Sequence, residues 1–310
     1  MGAGSTAFGS GREATLADKR LAKREAWATV TDTLQTKHSL YLGDARSMAE
    51  LPDGTCVHLV VTSPPYWDLK QYPGRGKGLQ LGNVTDRREF LDELGKVWRR
   101  CLELLVPGGR MCVVVGDVCR ARRRFGRHFV EPLHAHVLLQ CQELGFDPLA
   151  PIIWNKIANV STEAAGNGAS FLGKPYEPNA IIKNDIEYIL LLRKPGAYRH
   201  PTSQQRALSL IDKEDYALWY QQVWNDVPGD SRRDHPAPFP VEIARRLIGM
   251  FSFVGDTVLD PFSGVANTTA AAIHMHRSSI GFELEPEYFR AAREALGSTR
   301  DGAEVRFCEP

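Results

Sequence analysis

Two short segments carry the residue types that do chemistry. In Ser63-Pro64-Pro65-Tyr66-Trp67 a hydroxyl and aromatic rings flank two prolines, which forbid both helix and a paired ladder and leave a rigid polar loop. The loop follows His58–Thr62, a buried-strand pattern. It therefore caps a strand's carboxyl end, where open α/β sheets place their chemistry. The plainer reading of a bare Ser-Pro-Pro is a tight strand exit. The second segment, Asp260-Pro261-Phe262-Ser263-Gly264-Val265-Ala266-Asn267-Thr268-Thr269, follows the strand-like Thr257–Leu259 and leads into an Ala-rich helix. Strand, tight glycine turn and helix together form a nucleotide-type loop. About twenty residues on, Ser279–Phe282 ends in Glu283, where an acid accepts hydrogen bonds from both ribose hydroxyls of a nucleotide. Glu285 and Glu287 fit the start of a helix, where acids favour the dipole.

Positioning these groups calls for strands alternating with helices, a parallel sheet with covering helices. Strands are predicted at Ser39–Leu42, His58–Thr62, Arg110–Val115, Leu149–Trp154, Ile186–Leu192, Thr257–Leu259 and Ser279–Phe282. Arg87–Leu105 has the apolar spacing of a helix packed on a sheet, ended by Pro107-Gly108-Gly109. Val241–Phe251 and Glu285–Leu296 repeat that spacing. Residues 1–36 form an extension, a mobile tip followed by a helix, and 37–310 form the main domain. Val160–Asn179 and Pro195–Pro238 lack clean periodicity and read as functional or mobile loops.

A chain of 310 residues with 43% hydrophobic content buries a full core. Its net charge of +1 means that any nucleic-acid footprint is local. Arg120, Arg122, Arg123, Arg124 and Arg127 crowd one loop and suggest phosphate contact, a solvated charge run being the alternative. Six scattered cysteines without a C-x-x-C pair suggest neither a metal site nor disulfides. With no long apolar run and no secretory amino terminus, a cytoplasmic protein is the default expectation.

The Ser63-Pro64-Pro65-Tyr66 loop resembles the (Asp/Asn/Ser)-Pro-Pro-(Tyr/Phe/Trp) signature of the DNA amino-methyltransferases, and Asp260-Pro261-Phe262-x-Gly264 resembles their S-adenosylmethionine loop. The likeness runs from Tyr41 to Arg293, with the catalytic loop ahead of the cofactor loop as in the family's beta group. It implies a Rossmann-like α/β fold with a mostly parallel sheet, permuted motif order and inserted DNA-recognition loops. By the same resemblance Ser63, Pro64, Pro65 and Tyr66 are catalytic. An exocyclic amine is a poor nucleophile because its lone pair is delocalised into the ring. The Ser63 hydroxyl and Pro64 carbonyl would bind its hydrogens and localise that pair, while Tyr66 would stack on a base extruded from the duplex. Trp67 either widens that platform or belongs to the core. Serine in the first position usually goes with cytosine N4 and aspartate with adenine N6. The alternatives are therefore adenine N6, then an amine in RNA or protein, where Asn-Pro-Pro-Tyr is more usual. A binding module that lost activity fits poorly with intact motifs, and carbon-5 methylation needs a cysteine after proline, which is absent.

Cofactor contacts implied by the resemblance are Asp44, Phe239, Asp260, Pro261, Phe262, Gly264 and Glu283. Asp44 would accept from the adenine amine, or else caps a helix over Ala45–Leu51. The family's usual second glycine is replaced by Ala266, so Gly264 is the better-supported position. Duplex DNA is the implied substrate, contacted by loops in 119–184 including Lys174 and read by 195–234. A homodimer and a separately encoded restriction endonuclease are the partners relatives would suggest.

Overall fold

The computed structural model describes residues 34–69, 80–156, 184–229, 239–297 and 303–309. The expected amino-terminal helix, Lys174, Tyr176, Arg232 and Arg233 lie outside them. The described strands are β1 (Thr36–Leu42), β2 (Val57–Thr62), β3 (Leu105–Val115), β4 (Val118–Arg120), β5 (Phe129–Glu131), β6 (Asp147–Pro148), β7 (Ile152–Asn155), β8 (Ile186–Arg193), β9 (Val223–Trp224), β10 (Thr257–Asp260), β11 (Ser278–Glu283) and β12 (Ala303–Cys308). Across the main sheet the order is β12-β1-β11-β10-β2-β3-β8-β7-β9, with β6 beside β8. From β12 to β3 every neighbour is parallel, and β8 runs antiparallel to β3 and β7. β4 and β5 form a separate antiparallel hairpin.

The central strands read as continuous apolar runs because both faces are covered. Met111, Val113 and Val115 of β3 enter one core cluster, whereas Cys112 and Val114 enter the other. The first cluster lies under α1 (Arg87–Leu104). The short α2 (Arg122–Phe125) stands apart on the β4–β5 hairpin, while α3 (Leu133–Leu144) adds Leu133, Val137 and Cys141 to the first cluster. Helices α4 (Ser203–Leu208) and α5 (Lys213–Trp219) precede α6 (Val241–Phe251) and α7 (Asn267–His274), and these last two fill the opposite face. Finally α8 (Pro286–Leu296) packs with β12 in a smaller cluster around Phe289.

The differences from the sequence reading have local causes. Helix α1 is capped by Asp86, whose side chain accepts from Glu89 N at 2.8 Å, and it stops at Leu104. Pro107-Gly108-Gly109 follows that end and lies inside β3, where Gly108 takes a φ of +75° and donates to the Lys194 carbonyl. The strand expected from Leu149 begins only at Ile152, after Pro151, which has no N–H for a ladder. Ala45–Leu51 forms turns rather than a helix. The stretch 195–238 is not merely loop: it holds α4, α5 and β9. It is fastened to the sheet by Arg199, which grips the buried Asp256 with two nitrogens at 2.5 and 2.6 Å, and by a bond from Trp154 Nε1 to the Val227 carbonyl at 2.8 Å.

Candidate active site

β2 and β10 are adjacent and parallel, with Val258 opposite Leu59 and Leu259 opposite Val60. Their carboxyl ends therefore deliver the Ser63–Tyr66 loop and the Asp260–Gly264 loop to the same place. Asp260, 2% exposed, stitches them together. It accepts from Thr62 Oγ1 at 2.7 Å, from Thr268 Oγ1 at 2.6 Å and from the Phe262 N–H at 3.1 Å. Burial pushes its pKa up to about 6 against the pull of those donors. The carboxylate is thus committed to joining β2, β10 and α7. It shapes the cleft from beneath.

A cleft of about 1200 Å³, including solvent at its mouth, opens above this knot. Ser63, Pro64, Pro65, Tyr66, Asp44, Phe239, Asp260, Pro261, Phe262, Gly264 and Glu283 all line it, so the residues singled out from the two distant motifs and from the two flanking segments converge. Thr268, Asn267, Gln80 and Tyr288 line it too, and the sequence reading assigned no role to them. A hydroxyl at the very end of an apolar strand, as in Thr62, was the available signal for the knot.

In the Ser63–Tyr66 loop Ser63 Oγ and Tyr66 Oη lie 3.3 Å apart, and Tyr66 Oη reaches the Val114 carbonyl at 3.5 Å. The ring lies against Gly116: a Cβ there would sit 3.1 Å from Tyr66 Cε2 and 3.2 Å from Glu187 Cγ. Glycine lets the ring lie down on the end of β3. Glu187 beside it is buried and paired with Lys156.

The turn after β10 uses two left-handed residues, Gly264 at φ +51° and Ala266 at φ +67°. A Cβ on Gly264 would meet nothing within 4 Å, so this glycine serves conformation and leaves the backbone open to the cleft. Ala266 holds the conformation without that freedom. Its fully buried methyl packs with Leu40 and Phe289, which offsets the strain. Each Glu283 oxygen accepts one backbone N–H at 2.8 Å, from Gly264 and from Glu285. Burial pushes its pKa up to about 7, with the nearby Asp260 charge adding to the rise. The remaining lone pairs can accept from a ligand's hydroxyls.

Asp44 stands beside Glu283 because Gly43 N–H donates to the Glu283 carbonyl at 3.0 Å. Its carboxylate is held by Arg46 through the backbone N–H and Nε, each at 2.9 Å, and Nη2 at 2.5 Å, while Arg46 Nη1 binds Glu93 at 2.8 Å. Sequence patterning did not show this clamp.

Arginines 122, 123, 124 and 127 are exposed on the hairpin formed by β4, α2 and β5. Arg120 is the correction to that set. It is 4% exposed, bonded to Asp68 at 2.5 Å and stacked 3.9 Å over Trp67, because the strand alternation of β4 turns it inward.

With this geometry in view, the profile described as DNA methylase, that of the N6/N4 methyltransferases, matches residues 57–294. The type II methyltransferase M.MjaI of Methanocaldococcus jannaschii is 37% identical over 292 residues, 85% of this chain and 92% of its own. M.MthZI of Methanothermobacter thermautotrophicus is 34% identical, covering 82% of this chain and 75% of its own. The crystal structure of a putative DNA modification methylase from Thermus thermophilus, complexed with S-adenosyl-L-methionine, is similar with a TM-score of 0.71 and 48% identity over 88% of this chain and 98% of that one.

Proposed function

Because the chain belongs to the N6/N4 DNA methylase family, we propose that it methylates duplex DNA from S-adenosylmethionine, at the N4 amine of a cytosine turned out of the helix. The observation that carries this reading is the convergence of the Ser63–Tyr66 loop and the Gly264–Glu283 pair on one cleft.

The residues fit the cofactor. Gly264 leaves an open backbone edge, Glu283 offers acceptors for the ribose hydroxyls, and Asp44 and Phe239 line the same wall. When bound, the cofactor supplies an electrophilic methyl group on a sulfonium. Ser63 can donate its hydroxyl hydrogen to Tyr66 Oη and keep its lone pairs for one amine hydrogen. The Pro64 carbonyl accepts the other, and the two prolines hold both acceptors still. Tyr66, fixed through Ser63 and Val114, offers its face to the extruded base. Serine at position 63 supports cytosine over adenine through the family's usual pairing of residue and base. The exposed arginines 122, 123, 124 and 127 would contact phosphates.

Labelled cofactor incubated with mixed-sequence duplex DNA, followed by digestion to nucleosides, tests the reading. N4-methylcytosine is expected. N6-methyladenine moves the target base, and DNA without label overturns the proposal.

A further inference from the structure

Arg120 is a buried cation on a hairpin that otherwise carries its arginines outward, and among the described residues its guanidinium meets Phe125 of that hairpin and Trp67 and Asp68 of the turn that follows Tyr66. Its guanidinium lies 3.9 Å over the Trp67 ring and 5.3 Å over Phe125. Its Nη1 donates to Asp68 Oδ1 at 2.5 Å, and Arg124 Nη2 stands 3.9 Å from the other Asp68 oxygen. Trp67 and Asp68 follow Tyr66 directly, inside a turn closed by Leu69 N–H donating to the Tyr66 carbonyl at 3.1 Å. Trp67 adopts a φ of +49°, an outlier for a bulky residue. Such backbone persists only where its surroundings over-determine it, and it clusters at functional sites.

The pair is poorly arranged for stability alone. Arg120 Nη2 and Trp67 Nε1 are both buried without a hydrogen-bond partner among the described residues. A buried cation with an unused donor is a weak stabiliser compared with an apolar filling of the same space. What the arrangement does supply is a fixed plane against Trp67 and a fixed anchor for Asp68.

We propose that Arg120 is a positioning residue for methyl transfer: by holding Trp67 and Asp68 from the arginine hairpin, it lets the hairpin's seat on the DNA backbone set the aim of Ser63 and Tyr66. The inference rests on the function proposed above. Arg120 does not touch the reacting atoms; it acts through the turn that starts at Tyr66.

Arg120→Lys keeps the charge but loses the planar stack and the fork of donors. With plasmid DNA, kcat should fall roughly 10- to 100-fold, while the KM for DNA and the cofactor Kd stay within about threefold. Asp68→Asn should lower kcat in the same way, and the double variant should lose little more than either single one. Arg122→Gln, at an exposed position of the same hairpin, should raise the KM for DNA. Without DNA, hydrogen exchange at the Leu69 amide should be faster in Arg120→Lys than in the wild type. Unchanged kcat in folded Arg120→Lys and Asp68→Asn, or a fall in melting temperature with kcat intact, overturns the proposal. So does unchanged Leu69 exchange. If the wild type labels no DNA, the functional reading fails, and the exchange measurement still decides whether Arg120 holds the loop.

Discussion

Replacing Glu283 by glutamine should change the pH dependence of stability and the affinity for cofactor in opposite senses. In the wild type, burial moves this carboxyl from 4.5 to about 7. A folded pKa above the unfolded value means that the group's stabilisation is complete below the unfolded pKa and is lost as pH rises through the folded one. Between about pH 5 and about pH 8 those two values correspond to a loss of roughly 2.5 kcal/mol. Asp260, moved from 3.8 to about 6, adds roughly 1.5 kcal/mol over the same interval. Glu283→Gln removes the first contribution and keeps the second. The amide resembles the neutral acid and offers one acceptor to the N–H groups of Gly264 and Glu285, so near pH 5 variant and wild type should melt within a few degrees of each other. Towards pH 8 the difference should shift in the variant's favour by roughly 5 °C. Cofactor affinity should fall roughly 10- to 100-fold at the higher pH, since hydrogen bonds to a charged acceptor contribute about 1.5–3 kcal/mol. Thermal melts across this pH range, with equilibrium dialysis of the cofactor, read both effects. Parallel melting curves for the two proteins would refute the burial argument, and an unchanged Kd would refute the ribose assignment.

Ser63→Ala should reduce methyl transfer roughly 100-fold with cofactor affinity nearly intact, read as a kcat loss against an unchanged dialysis isotherm. Gly116→Ala places a methyl 3.1 Å from Tyr66 Cε2, so kcat should drop several-fold while the melting temperature moves little. Ala266→Gly relieves the φ of +67° but removes a buried methyl, and the two effects, each about 1 kcal/mol, should leave stability within about 1 kcal/mol in a urea titration. Replacing Arg122 and Arg123 by glutamine should flatten the dependence of log K for DNA on log salt by roughly 2, with equal effect on unrelated sequences.

Much of this site was legible in the chain itself. Rigid Ser63-Pro64-Pro65-Tyr66 after an apolar strand, the Asp260–Gly264 turn and the acid at Glu283 are local patterns whose physics is local: proline removes backbone freedom, glycine permits the left-handed turn, and β-rich runs need covering on both faces. The apolar spacing of Arg87–Leu105 gave α1 to within one residue, and Val241–Phe251 gave α6 with the bounds observed. What required the tertiary structure were the pairings between segments far apart in sequence. Thr62 meets Asp260 across 198 positions, Arg120 meets Asp68 across 52, and Arg46 meets Glu93 across 47. A charged residue has no periodicity that tells burial from exposure, so Arg120 read like the exposed arginines beside it. Its inward turn depends on which face of a three-residue strand meets Trp67 and Asp68, a choice made only when β4 and the segment after β2 are brought together.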